Sequence, residues 1–276
     1  MLNIFSMAIL AAILAGCLCG AIGFHVDHFK VTTLSFSISH AALAGASIGI
    51  VLSLDSTYSA MAAATSSALL LGLIFSRVER GRELVSMAVF STSSAIALLA
   101  IYMSTARVLA TTSVATVLWG SLLAVTPQKL IILLTVTILF LLYISAFRMH
   151  IDAILYDKKL AEAEGIDVQA HTLTLLLFTS VAIASTLKLT GGFLVFTLLY
   201  NPVASASQLA RGARHQLILS SLLGSASAVS GLAISYLFNL PVGAAITLLS
   251  SLTLLISYGV RATVERTRLR EASKIN

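Results

Sequence analysis

RMHIDAILYDKKLAEAEGIDVQA, residues Arg148 to Ala170, is the stretch on which the reading of this chain turns. Elsewhere, long apolar runs are broken only by short polar turns. Here three basic residues (Arg148, Lys158, Lys159) and five acidic ones (Asp152, Asp157, Glu162, Glu164, Asp167) gather in one place. Asp157 is suited to cap a helix, because its carboxylate can accept a backbone N–H of the first turn. Lys158 to Glu164 contains good helix formers, and Gly165 suits the position just past a helix end. The spacing predicts a helix of about ten residues or fewer, roughly 15 Å long. That is too short and too charged to cross a bilayer. A compact polar helix between apolar runs fits a docking surface for a soluble partner or an ordinary solvated loop.

The composition says what surrounds it. Of 276 residues, 58% are hydrophobic and 10% charged, and the mean hydropathy is +0.99. Apolar runs of about 20 residues, the length that spans hydrocarbon, recur along the chain. The expected fold is all-α: a polytopic transmembrane helical bundle in one domain, residues 1–276, with a cytoplasmic loop 148–170 and a cytoplasmic tail 260–276. The formal charge of +6 then bears on orientation in the membrane rather than on nucleic acid. Cys17 and Cys19, two residues apart on one helix, point about 200° apart and can neither pair nor share an ion. No Lys or Arg precedes Lys30, so the first apolar run is expected to be a retained span rather than a cleaved signal.

Candidate spans fall at 3–24, 32–53, 57–75, 84–104, 129–147, 171–190, 191–209, 215–238 and 241–259. The stretch 105–128, with Trp119 and Pro127, reads as a surface or re-entrant segment. If the loop 148–170 is cytoplasmic, so are Lys30, the cluster Arg77, Arg80 and Arg82, the pair Arg211 and Arg214, and the basic tail. That places 14 of the 17 basic residues inside and predicts an outer N-terminus, an inner C-terminus and nine spans. The Thr190-Gly191-Gly192 junction leaves almost no loop. If one flanking segment fails to cross, the number falls to eight. Gly45 with Gly49, and Gly224 with Ser227 and Gly231, recur at about one helical turn, a spacing that lets helix backbones approach closely.

His40 is the most informative intramembrane residue. It sits in Ser35-Phe36-Ser37-Ile38-Ser39-His40, where an ionisable side chain is costly unless it faces a cavity or a partner. Imidazole is also a common transition-metal ligand. His40, Ser37, Ser39 and Asn201, which precedes Pro202, are the candidate substrate-pathway residues, with His40 the candidate metal ligand. His25, Asp27 and His28 lie at the inner end of the first span and read as interface residues. The phosphate loop GxxxxGK[ST], the GxSxG elbow and HExxH are absent from the sequence, so no catalytic residue is assigned and any pumping requires fuel from another chain. An ion-coupled secondary transporter of a small solute would need acidic residues within its spans, and the acids here lie in loops or at span ends.

Five stretches together resemble the permease of the metal-type ABC importers, the zinc, manganese and iron-chelate group. They are Ser39-His40-Ala41 to Gly45; ELVSMAVFS from Glu83 to Ser91; Trp119-Gly120-Ser121-Leu122-Leu123-Ala124-Val125; Tyr156-Asp157 through Ala161 to Gly165; and Gly192-Phe193-Leu194-Val195 on to Pro202-Val203-Ala204. The resemblance implies a multi-pass protein of a bacterial-type inner membrane, paired with a second copy of itself. Cytoplasmic ABC ATPase subunits using ATP and Mg would dock on a coupling helix carrying Asp157, Ala161 and Gly165. An extracytoplasmic metal-binding protein would deliver the ion, and this chain would bind no cofactor of its own. The family's Gly-Asp ahead of the Ser-His pair is replaced here by Ser35 and Phe36. The implied cargo is a divalent metal or a metal chelate, moved by alternating access.

Overall fold

The computed structural model describes residues 4–77, 81–104, 117–121, 125–192 and 195–275. They form α1 (Ile4–His28), α2 (Thr32–Val51), α3 (Ser56–Arg77), α4 (Arg82–Met103), α5 (Pro127–Ala146), α6 (Arg148–Tyr156), α7 (Lys158–Ala163), α8 (Val168–Thr190), α9 (Val195–Leu209), α10 (Ala213–Phe238) and α11 (Val242–Ile275). Eight of these are long and apolar enough to cross a membrane. Such a chain must satisfy its backbone polar groups internally, which is why helices carry it throughout. Most of the surface or re-entrant segment expected at 105–128 lies outside the described residues, as do Arg80 and Arg107.

The Thr190-Gly191-Gly192 junction leaves eight or nine spans open, and α9 decides for eight among the described residues. Its 15 residues give roughly 22 Å at 1.5 Å per residue, short of a hydrocarbon core of about 30 Å. The turn before it is sunk into the bundle, with Thr190, Gly191 and Gly192 buried. From there α9 runs parallel to α11: Thr197 pairs with Thr247, Asn201 with Ser251 and Gln208 with Arg261. The polypeptide therefore returns to the side it left, and both ends of the arrangement stay as expected. Pro202 sits inside α9, where its missing N–H costs one ladder bond to the Leu198 carbonyl.

α2 is the central helix, packed on α3, α4 and α8 and buried along nearly all its length. α1 and α10 cross antiparallel at close range. Ser220 Oγ donates to the Gly20 carbonyl at 3.0 Å, and Ser225 Oγ to the Ile13 carbonyl at 3.0 Å. A Cβ on Gly224 would lie 2.3 Å from the Gly16 carbonyl oxygen, and one on Gly16 2.4 Å from that of Gly224. In a membrane, where lipid is as apolar as protein, such backbone approach and interhelical hydrogen bonding drive association.

Two elements extend beyond their expected limits. The first half of the 148–170 loop is the helix α6, because Ile151 and Ile154 turn inward while Met149 and Asp152 face out. The tail continues α11 without a break, with the Arg261–Glu265 pair at 2.9 Å spanning one turn. Replacing Gly224 by Val should destabilise the bundle by about 1–3 kcal/mol through overpacking. A lowered thermal midpoint in detergent is expected, whereas Gly259→Ala, with open space where the Cβ would stand, should not lower the midpoint and should raise it slightly.

Candidate functional site

α7 is a six-residue helix fixed at both ends. Asp157 is extended (φ −155°, ψ 120°), and its Oδ1 accepts the backbone N–H groups of Lys159 at 2.8 Å and Leu160 at 3.0 Å. At the other end Gly165 adopts φ +86°. Its N–H donates to the Glu162 carbonyl, and that of Ile166 donates to the Ala161 carbonyl, both at 3.0 Å. This is a Schellman closure, which needs a left-handed residue where a side chain is unfavourable by roughly 1–2 kcal/mol. The short polar helix is therefore a rigid block rather than a solvated loop.

The block is seated on the turn between α1 and α2. Lys158 Nζ donates to the Phe29 carbonyl and lies 5.6 Å from the centroid of the Phe29 ring. Burial, then the nearby charges of Lys30 and Arg82, holds the Lys158 ammonium below its ordinary pKa. Ala161 is 1% exposed, so it packs inward and does not belong to an outward docking face. Tyr156 and Leu160 do face out, 86% and 50% exposed. Neither was singled out by the sequence pattern, although an aromatic and a leucine flanking a capped polar helix were the available signal.

Inside the membrane, His40 stands among the rings of Phe36, Phe90 and Phe196, at centroid distances of 5.2, 4.4 and 6.3 Å. These come from α2, α4 and α9. Ser94 Oγ donates to the Phe90 carbonyl at 2.8 Å and lies 3.0 Å from His40 Nδ1. Ser94 thereby holds the His40 ring in place, and a neutral imidazole is a nitrogen ligand for transition metals. Phe36 stacks on Phe90 at 4.8 Å and meets Phe196 edge-on at 4.8 Å. An aromatic wall thus occupies the place where a carboxylate would supply charge and a hard oxygen ligand.

The other candidate residues are not gathered there. Ser37 Oγ donates to the Ser86 carbonyl at 2.6 Å, fastening α2 to α4. Ser39 Oγ bonds back to the Phe36 carbonyl at 2.7 Å. Asn201 Nδ2 donates to Ser251 Oγ at 3.1 Å, tying α9 to α11. His25 and His28 each bond a carbonyl one turn back, those of Ala21 and Phe24. Among the described residues, no three His, Cys, Asp or Glu side chains converge as a metal-binding group.

At the opposite end of the bundle from α7, residues 117–121 interlock with the α8–α9 turn. Gly192 N–H donates to the Val117 carbonyl at 2.7 Å and Ser121 N–H to the Lys188 carbonyl at 3.0 Å. Gly120 and Gly191 have φ of +77° and +87°, and a Cβ on either would fall within 2.4 Å of the facing backbone. Lys188 lies 3.7 Å from Asp55. Burial alone would raise the Asp55 carboxyl, but the Thr57 N–H with Lys188 and Lys129 outweighs it and lowers its pKa.

Residues 1–261 match the model of the ABC 3 transport family. The chain is 31% identical over 255 residues to the manganese import system permease protein ScaB of Streptococcus gordonii, covering 91% of this chain and 89% of that one. It is 25% identical over 249 residues to the high-affinity zinc uptake system membrane protein ZnuB of Buchnera aphidicola, covering 90% and 94%. Among solved structures, PsaBC from Streptococcus pneumoniae in complex with Fab superposes with a TM-score of 0.79 at 26% identity, covering 93% of this chain and 91% of that one.

Asp157→Ala removes a cap contributing about 1 kcal/mol, and Gly165→Ala strains the closure by a similar amount. Each should leave the protein inserted and folded while cutting transport in vesicles by tenfold or more. Transport per assembled complex checks the expectation, and retention of the wild-type rate would contradict it.

Proposed function

The chain belongs to the ABC 3 transport family, and from that membership we propose that it is the membrane-spanning permease of an ATP-driven importer of a divalent transition metal. Manganese and zinc are the ions named in its relatives, the permease ScaB and the membrane protein ZnuB. ATP and Mg are used by separate cytoplasmic ATPase subunits, and an extracytoplasmic binding protein delivers the ion. Residues 1–276 act as one permease domain, in a bacterial-type inner membrane.

The observation that carries this reading is the family match across nearly the whole chain. α7 supports the motor's place of attachment, being capped at both ends, seated on the α1–α2 turn and bordered by exposed Tyr156 and Leu160. Asp157 and Gly165 set its shape, and Ala161 packs it onto the bundle. A motor that closes on nucleotide biases the membrane equilibrium only through an element with different contacts in the two states, and a rigid short helix transmits that bias. A second copy of the chain completes the pathway wall. The His40 cluster abuts α4, one of the spans least buried by its own bundle.

His40 acts as a transient ligand. A single imidazole holds an ion weakly, which suits a pathway that must release its cargo. Ser37 and Asn201 set the spacing of the helices around that pathway, and Ser39 stands beside His40 on α2. The ion-coupled secondary transporter has no support from the acids of the chain, which stay at span ends or outside the spans.

The test is uptake of labelled manganese and zinc into proteoliposomes holding the permease, its cognate ATPase and ATP. Uptake should require ATP hydrolysis and fall at least fivefold in His40→Ala. Uptake driven by an ion gradient without ATP would overturn the importer reading, and an undiminished His40→Ala rate would remove His40 from the pathway.

A further inference from the structure

His150 and His171 meet on the wall of a cleft beside the C-terminal end of α7, and neither takes part in the coupling block or the His40 cluster. The cleft, about 590 Å³, lies between α5, α6 and the start of α8. Phe147, His150, Glu164, Asp167 and His171 are among its lining residues. His171 Nδ1 lies 2.6 Å from Tyr143 Oη, and His171 Nε2 lies 3.2 Å from His150 Nδ1.

From this geometry we infer that His150 Nδ1 and His171 Nε2 form a binding site for a borderline divalent transition ion, zinc above manganese, on the α7 side of the membrane. Two nitrogens bound to one zinc at about 2.0–2.1 Å in tetrahedral geometry stand about 3.3 Å apart. The observed 3.2 Å is close to that separation, so an ion is accepted by turning the two rings until their lone pairs converge, without parting α6 from α8. The Tyr143 contact orients the His171 ring and, with Nδ1–H donating to the phenol oxygen, directs the Nε2 lone pair at the cleft. Ring-orienting partners of this kind accompany most metal-bound histidines.

With His171 protonated on Nδ1, His150 Nδ1–H donates to His171 Nε2 in the metal-free protein. On binding, that proton transfers through water to His150 Nε2, so both ligands are neutral imidazoles and no proton is lost overall. His150 is exposed, which gives the second nitrogen access to solvent. Water completes the coordination, and the Glu164 and Asp167 carboxylates line the same cleft and add favourable charge. Imidazole selects zinc, cobalt and nickel over magnesium and calcium, and affinity rises from manganese towards copper. With two protein ligands the site is weak, filling only when the ion accumulates.

Its placement gives occupancy a consequence. His150 is on α6 and His171 on α8, the helices immediately before and after α7. An ion bridging them fixes α7 against the bundle and slows the movement by which a motor would drive transport. Only this regulatory consequence rests on the importer reading; binding does not.

The test begins with cobalt(II) alone, titrated into the purified full chain with Cys17 and Cys19 replaced by Ser. Cobalt should produce a visible d–d band that zinc displaces, and His150→Ala should abolish it. Tyr143→Phe should weaken binding about tenfold. An absent band in the parent protein, or an equal band in His150→Ala, would overturn the site. In proteoliposomes, zinc on the α7 side should inhibit ATP-driven uptake in the parent and not in His150→Ala. Equal inhibition in both would overturn the regulatory role while the cobalt result still decides the site.

Discussion

The seat of α7 on the turn between α1 and α2 is the contact on which the rest depends. A helix of six residues has no independent stability, because its first turn fixes several dihedrals for a single hydrogen bond. It exists here because Asp157 supplies two acceptor contacts at one end and Gly165 closes the other. Lys158 then reaches the Phe29 carbonyl, and Ala161 lies flat against the bundle. Lys158 also keeps company with Lys30 and Arg82, whose charges disfavour its own. The seat is firm but carries electrostatic tension, which suits a joint whose neighbours shift between two arrangements.

What α7 is joined to follows from the same economy of contact. The turn at Phe29 is where α1 passes into α2, and α2 carries Phe36 and His40. Under the proposed coupling, a displacement of α7 would be passed to the foot of α2 and so towards the ring cluster above it. At the far end, the interlocked glycines at 120 and 191, with the Asp55–Lys188 pair, hold the sunken turn from which α9 descends. Phe196 on α9 and Phe36 on α2 meet between these two anchored ends.

Much of this was legible in the sequence. Asp157 and Gly165 are local signals, since capping chemistry depends on one residue and its near neighbours, and both ends of α7 fall where the sequence places them. The spans followed from hydropathy, a summed property of about 20 residues. The point left open was α9, because hydropathy cannot tell a full crossing from a short helix that starts from a sunken turn. Ala161 pointed inward because helical phase, not residue type, decides which face packs. His40 was identified from its cost in lipid, yet its companions Phe90, Ser94 and Phe196 come from helices far away in sequence. The His150–His171 pair was missed for the same reason, since 21 residues separate two rings that meet only when α6 and α8 pack.

The most direct measurement of the central claim is the side of the membrane on which α7 lies. A single cysteine at Lys159, in a chain with Cys17 and Cys19 replaced by Ser, is exposed to a membrane-impermeant maleimide. The account predicts no labelling in intact cells and full labelling once the membrane is opened. Labelling in intact cells would place α7 where no cytoplasmic motor could reach it, and would contradict the account.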